Sequence, residues 1–264
     1  MKKYWCFLKI GFQVSAAYPA SIYFRVIRHS LLVLLFVLLW TALFKIKPEI
    51  GGFGLASITT YYILVEIIDI IYTQTPARML NRDIKTGDLS NYLLKPLDYW
   101  KYLLFYTVGQ QLSNSSLSIL AALVVFIFFP GFVILPSSLI YFVGFFVFSF
   151  IAFLISHQIL FIVGTWSFYV SEITHIRQGI NQLMGLLGGR WIPLSFFPPL
   201  AISVLEQLPF TYLFNFPLKI FQQQVSVGQM GRALFVGIIW LTSFLIIGNI
   251  TWKKGVEKYE AYGF

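Results

Sequence analysis

Charged residues are scarce in this chain. Only 11% of its 264 residues are Asp, Glu, Lys or Arg, whereas 58% are hydrophobic and the mean hydropathy is +0.78. This composition excludes a soluble globular domain and is typical of an integral membrane protein. The apolar runs are continuous and approach the roughly 20 residues that a helix needs to cross a bilayer, whereas a membrane barrel would show alternating segments of roughly 10 residues. The sequence therefore predicts an all-α, polytopic membrane protein.

Cysteines and the common catalytic motifs are also scarce or missing. The single cysteine, Cys6, excludes an intrachain disulfide. Glu172 and His175 form one Glu-x-x-His, but a carboxylate-bridged metal site needs a second copy, so no metal is predicted. The sequence has neither His-Glu-x-x-His nor Gly-x-Ser-x-Gly, and we assign no catalytic residue. It also lacks Gly-x-x-x-x-Gly-Lys-Ser/Thr, so it has no Walker loop of its own with which to bind ATP.

Six apolar runs predict six transmembrane helices within a single domain, residues 1–264. The runs cover residues 26–44, 55–75, 99–129, 137–170, 173–189 and 233–252. Residues 1–25 are expected to form a basic, aromatic helix in the membrane interface, with Trp5, Phe7 and Phe12 toward lipid. Residues 191–217 contain five prolines and are expected to form a re-entrant segment on the outer face.

The basic residues predict the orientation. With six spans both termini lie on one side of the membrane, and 14 of the 19 Lys and Arg residues fall on that side. The other side is expected to carry Lys45, Lys47, Arg190, Lys219 and Arg232. The positive-inside rule then places both termini in the cytoplasm. The net charge of +9 is interpreted in the same way, as orientation and contact with anionic lipids, and not as nucleic-acid binding.

Polar residues form a stripe in the second apolar run. Thr59, Tyr62, Glu66, Asp69 and Thr73 are spaced by three or four residues and share one helical face. Carboxylates within a span are costly against lipid, so this face should meet protein, a water-filled path or a basic partner. A packing seam with hydrogen-bonded carboxyl groups, a translocation path and a proton relay all stay open.

The third apolar run has a polar face of its own. It consists of Thr107, Gln111, Asn114 and Ser118. Hydroxyl and amide side chains often join membrane helices by hydrogen bonds, which favours a helix seam over substrate contact. This face is the expected counterpart of the stripe in the second run.

The polar tract between these two runs carries a family signature. "NRDIKTGDLSNYLLKPLDYW", residues 81–100, resembles the Ile, Gly, Leu and Leu-Leu-x-Pro-Leu pattern that follows the second span in ATP-binding-cassette exporter permeases of the type-two class. It is most similar to the compact six-span branch of transport-system permeases. "LPFTYLFNFPLKIF", residues 208–221, is similar to the segment ahead of the last span in that branch, so the resemblance covers essentially the whole chain.

In that family the tract after the second span forms a cytoplasmic coupling helix, here residues 78–98, which sits in a groove of the ATPase. The resemblance implies seven candidate ATPase contacts: Arg82, Asp83, Ile84, Gly87, Leu89, Leu94 and Pro96. One departure concerns the acidic residue that usually precedes the coupling glycine. Lys85 and Thr86 stand there, and the carboxylate, Asp83, lies two positions earlier.

The resemblance also implies partners, location and function. Two ATPase subunits holding ATP and Mg and a second permease, identical or a sister chain, would complete the transporter in a prokaryotic plasma (inner) membrane. The chain itself would bind no cofactor. It would export a lipid-like, amphipathic, drug or peptide substrate. The residues alone leave a different function open, an ion-coupled secondary transporter that uses Glu66 and Asp69.

Overall fold

The chain is almost entirely helical. The structure, a computed structural model, describes residues 2–47, 49–72, 74–128 and 134–259, and this part contains eleven α-helices and no β-strand. The helices are α1 (Lys2–Ala16), α2 (Pro19–Phe44), α3 (Leu55–Ile71), α4 (Thr75–Lys85), α5 (Asp88–Leu93), α6 (Tyr99–Phe128), α7 (Leu139–Thr165), α8 (Thr174–Gly188), α9 (Pro199–Leu205), α10 (Asn215–Phe221) and α11 (Val227–Glu257). The all-α prediction is confirmed.

Within the described residues, three helical stretches are long and apolar enough to cross a membrane. They are Val26–Phe44, Leu139–Phe168 and Val227–Glu257, with hydropathies of 2.1, 2.5 and 2.2. They correspond to the first, fourth and sixth predicted runs. Helices of this length and composition support a protein that is embedded in the membrane and crosses it more than once.

The other three runs also form helices, but their span status stays a prediction. α3 has 17 residues and α8 has 15, which at 1.5 Å per residue gives roughly 26 and 22 Å against a hydrocarbon core of roughly 30 Å. α6 has 30 residues, and the side chains of residues 116–128 in its second half lie outside the described part. The total of six membrane spans therefore stays a prediction.

The N-terminal segment consists of two helices. The break lies at residues 17–18, ahead of the predicted boundary at residue 25, and α2 begins with Pro19, which suits a first helical position because the N–H it lacks would be unpaired there. Trp5 and Phe12 are exposed. Phe7 is half-buried, and its ring meets the Tyr102 ring edge-on at 4.7 Å between centroids.

α1 packs closely along α6. Gly11 lies against the backbone carbonyl of Tyr106, and Gly109 lies against the backbone carbonyl of Leu8. A Cβ atom at either glycine would overlap that carbonyl oxygen. The two glycines thus permit the direct backbone approach that small residues allow between membrane helices.

The main core lies where α3, α7 and the proline-rich stretch meet. Ile58, Ile155, Leu213, Phe214 and Leu218 are all fully buried there. Residues 191–217 fold as short helical pieces, because prolines recur too often for one long helix. Since this stretch supplies core side chains, it is an integral part of the fold, and its re-entrant placement stays a prediction.

We expect Gly109→Ala to lower the thermal unfolding midpoint of the detergent-purified protein. The new methyl group has no room against the Leu8 carbonyl, and forced overpacking costs about 1–3 kcal/mol. Gly179→Ala is the matched control, because a Cβ atom there meets no atom within 4 Å and alanine favours a helix by about 0.5–1 kcal/mol over glycine. Equal effects of the two substitutions would contradict the close packing of α1 on α6.

Candidate coupling segment and buried charge network

Residues 75–98 fold as two short helices and a linker, which we name the α4–α5 segment. α4 ends at Lys85, and the chain turns at Gly87, whose φ of 78° lies in the left-handed region that favours glycine. The Thr86 hydroxyl donates to the Asp88 carboxylate at 2.7 Å across this turn. The coupling glycine of the sequence signature is therefore the residue that lets α5 fold back from α4.

The predicted ATPase contacts divide into a buried set and an exposed set. The buried set is Asp83, Ile84 and Leu89, and the exposed set is Arg82, Leu94 and Pro96, with the half-buried Gly87 at the turn. Leu94 is 86% exposed. The exposed side chains are the ones that a partner can reach, and the buried ones fix the shape that the partner would meet. Contact with an ATPase stays a prediction for this segment.

Asp83 has a fully buried carboxylate, with 0% exposure. The Tyr99 hydroxyl donates to its Oδ2 at 2.8 Å, and the Arg82 guanidinium donates to its Oδ1 at 2.7 and 2.9 Å. A buried carboxylate is tolerated only when it is paired and hydrogen-bonded. Asp83 therefore ties α4 to the first turn of α6.

Aromatic rings extend this connection to two more helices. Tyr99 stacks on Trp252 of α11, with 5.1 Å between ring centroids and 6° between planes. Trp252 also meets Phe161 of α7 at 5.7 Å and Phe168 at 5.8 Å. The sequence links this segment only to the two apolar runs that flank it. It gives no signal for the contact of Tyr99 with Trp252, because ring stacking between distant residues leaves no local pattern.

Two further contacts hold the α4–α5 segment in place. The Lys3 ammonium of α1 donates to the Pro96 carbonyl oxygen. Lys85 forms an ion pair with Glu172, in the loop between α7 and α8, and the same carboxylate accepts from the backbone N–H of Thr174. The bond from Lys85, followed by those from Thr174, lowers the pKa of Glu172 from 4.5 to about 2.

The polar stripe of α3 faces protein. The Tyr62 hydroxyl donates to the Trp191 carbonyl at 3.1 Å. Glu66 pairs with His29 of α2. Asp69 accepts from the Arg190 guanidinium at 2.7 Å, and Arg28 lies 3.8 Å from the same carboxylate oxygen. Glu66 and Asp69 thus meet the basic partners that carboxylates at this position require, while Thr73 lies outside the described residues.

The contact between Arg28 and His29 assigns the protons of this network. The Arg28 Nη2 atom lies 2.8 Å from Nε2 of His29. A guanidinium can only donate, so Nε2 accepts and the imidazole proton sits on Nδ1, facing Glu66. His29 then donates from Nδ1 to Glu66.

The charge count assigns Arg190 and Arg28 to opposite sides of the membrane, but the two side chains approach the same carboxylate oxygen. Gly189, with a φ of 89°, ends α8 and turns the chain, and its carbonyl accepts from the Tyr61 hydroxyl. The mostly buried Arg190 side chain then reaches Asp69 near the C-terminal end of α3. This end of α3 is remote from the loop that connects α2 with α3. Arg28 of α2 meets the same carboxylate there.

Gln111 and Asn114 of α6 bond to each other and to α1 in the part of the chain that the structure describes. The Ser15 hydroxyl of α1 donates to the Asn114 Oδ1 atom at 2.6 Å, and the Asn114 amide donates to Gln111 at 3.2 Å. These bonds join this face of α6 to α1. Asp69, Gln111 and Asn114 nevertheless line one cavity of about 1230 Å³, whereas Tyr62 and Glu66 do not.

His29, Glu66 and Asp69 are also spaced as metal ligands would be. Their nearest ligand atoms lie within 4.8 Å of one another. Two guanidinium groups already approach Asp69, and a metal ion would have to displace or repel them. The donor set therefore fits a charge-paired helix seam better than a metal centre.

These features define a helical membrane protein whose polar segment between two helices presents a rigid, partly exposed surface. The family described as "ABC-2 family transporter protein" matches residues 30–263. The chain belongs to this family, which makes it the membrane component, or permease, of an ATP-binding-cassette transporter and implies association with an ATPase partner. No curated protein and no solved structure matches the chain.

We expect Tyr99→Phe to destabilise the protein by about 1.5–3 kcal/mol, because it removes a hydrogen bond to a buried charged group. Chemical denaturation in detergent would measure this change. Tyr106→Phe is the control, since it removes a half-buried hydroxyl of the same helix that does not bond to Asp83. Similar decreases in the free energy of unfolding in both variants would show that the bond to Asp83 does not stabilise the protein.

The Lys85–Glu172 pair gives a pH prediction. The folded-state pKa of Glu172 lies below its ordinary value of 4.5, so its contribution to stability is present above pH 4.5 and is lost as the pH falls toward about 2. The gap in unfolding midpoint between the parent protein and Glu172→Gln should close over this range. Glu257→Gln, which removes an exposed carboxylate at the end of α11, is the control. A pH-independent gap would contradict the pairing.

Proposed function

We propose that the protein is the permease subunit of an ATP-binding-cassette exporter and couples ATP hydrolysis by a separate ATPase subunit to export of a lipid-like, amphipathic, drug or peptide substrate. The observation that carries the proposal is the construction of the α4–α5 segment. Its exposed residues Arg82, Leu94 and Pro96 lie over a buried connection from Asp83 through Tyr99 into α11.

The coupling step follows from this packing. A partner that binds the exposed side moves α4 and α5 together, because Leu80, Ile84 and Leu89 share one buried cluster. Close-packed interiors transmit such a displacement instead of absorbing it. Through Tyr99 and its stacked neighbours the displacement reaches α6, α7 and α11 as well as the directly connected α3.

The complete transporter would contain further subunits. Two ATPase subunits would hold ATP and Mg, and a second permease, identical or a sister chain, would complete the membrane part. With six spans and both termini in the cytoplasm of a prokaryotic inner membrane, the α4–α5 segment lies on the side where ATP is present. The exposed apolar faces of α2, α7 and α11 would contact membrane lipids or the second permease.

An ion-coupled carrier that uses Glu66 and Asp69 is the alternative. In the structure both carboxylates are engaged, Glu66 with His29 and Asp69 with Arg190. This pairing favours a structural role for both groups. The carrier predicts substrate movement that depends on a proton gradient and needs no ATPase.

We expect Leu94→Asp to abolish most co-purification of the ATPase partner and most substrate-stimulated ATP hydrolysis. The substitution places a charge in the middle of the proposed docking surface, where a buried unpaired charge is strongly unfavourable. Pull-down from membranes that contain both subunits, followed by an ATPase assay, would measure the effect.

Leu200→Asp is the matched control for this experiment. Leu200 is 80% exposed, comparable to Leu94, but it lies on α9, away from the docking surface. The control should keep the ATPase bound and active. Unchanged association in Leu94→Asp would place the ATPase contact elsewhere and remove the main support for coupling through α4 and α5.

A further inference from the structure

A large cavity lies where the ends of several helices meet. Its walls come from the end of α1, the start of α2, the end of α3, the start of α4, and from α6 and α8, and its volume is about 1230 Å³. Small-molecule sites usually have volumes of roughly 300–1,000 Å³. The cavity is therefore large enough for a ligand with both a head group and a chain.

Positive charge prevails on the cavity wall. Arg28, Arg78 and Arg190 line it, and Asp69 is the only carboxylate among the described lining residues. Asp69 forms its shortest ion pair with Arg190, at 2.7 Å. Arg78 is exposed on α4 and forms no ion pair with any residue that the structure describes. The guanidinium group of Arg78 therefore adds a positive charge that nothing in the network offsets.

Two further arginines near Arg78 add to the positive charge around the cavity. The Arg177 guanidinium of α8 donates to Gln74, which lines the cavity one helical turn before Arg78. The half-exposed Arg28 faces the cavity from α2. Arginine forks bind phosphate, sulfate and carboxylate groups with paired, charge-assisted hydrogen bonds. The same cavity would repel a cation.

Aromatic side chains stand on another part of the wall. Tyr18 and Phe24, at the junction of α1 and α2, are exposed, and Trp191 follows Arg190. Such rings contribute apolar contact area next to a polar head. A free inorganic anion would leave these rings unused.

We propose that this cavity binds an amphiphile with an anionic head group of the phosphate type, the head group on Arg78 and Arg28 and the apolar part along Phe24 and Trp191. This inference names a substrate class for the proposed exporter and rests on that function for its role in transport. Binding itself requires only the cavity of the single chain.

Equilibrium binding of radiolabelled dodecyl phosphate to the purified full-length chain in a neutral detergent tests the inference. We expect saturable binding that is at least about tenfold tighter than that of inorganic phosphate, and no competition by dodecyltrimethylammonium. Arg78→Gln should weaken binding about tenfold, because it removes one charge-assisted contact. Arg28→Gln should have a similar effect.

Arg232→Gln is the control, because Arg232 is exposed at the start of α11 and does not line the cavity. Its affinity should equal that of the parent protein. Arg78 has no ion pair to lose in the described structure, so Arg78→Gln should keep the parent unfolding midpoint, and a loss of binding in it would reflect the ligand site.

Three results would overturn the inference. Binding of the cationic amphiphile as tight as that of dodecyl phosphate would exclude anion selectivity. Equal affinity for inorganic phosphate and dodecyl phosphate would exclude the amphiphile, and unchanged affinity in both arginine variants would exclude this cavity. ATPase co-purification, measured in parallel without added ligand, separates the two proposals, since it then depends on the α4–α5 surface alone.

Discussion

The ion pair between Asp69 and Arg190 determines how the helices around the cavity are arranged. It joins the end of α3 to the turn after α8, and Arg28 brings α2 to the same carboxylate. Removing one member of a buried pair leaves an uncompensated charge and typically costs about 3–5 kcal/mol. With Asp69 held in this way, α2, α3 and α8 have fixed relative positions, and the space between them persists as a cavity instead of collapsing.

One helix connects this cavity with the surface proposed to meet the ATPase. α4 has Gln74 and Arg78 on the cavity wall at its beginning and the buried Asp83 near its end. Its 11 residues span roughly 16 Å. A rigid helix of this length ties the position of Arg78 to the position of α5, so occupation of the cavity and docking of a partner bias the same element. Reciprocal coupling between two sites requires such a shared element.

The sequence predicted local features well and distant partners poorly. Helical periodicity alone predicts that Glu66 and Asp69 share one face of α3, and their carboxylates lie close together in the structure. Their partners cannot be predicted in this way. His29 lies 37 residues from Glu66, and Arg190 lies 121 residues from Asp69. No spacing rule joins positions that far apart. Charge counting assigns Arg190 and Arg28 to opposite sides, because it assumes that a basic residue after an apolar run leaves the membrane, whereas both meet Asp69. The motif marks the tract that is predicted to contact the ATPase, but its letters do not show that Asp83 and Leu89 are buried.

The crossing of α1 and α6 has a consequence for the order of assembly. Gly11 and Gly109 belong to one contact, yet a ribosome that adds 5–20 residues per second delivers the second glycine roughly 5–20 s after the first. During that interval α1 lacks its partner helix. Its lysines and exposed aromatic rings suit a helix that rests on an anionic lipid surface until α6 emerges. The amphipathic character of α1 would thus serve a transient state of synthesis as well as the finished fold.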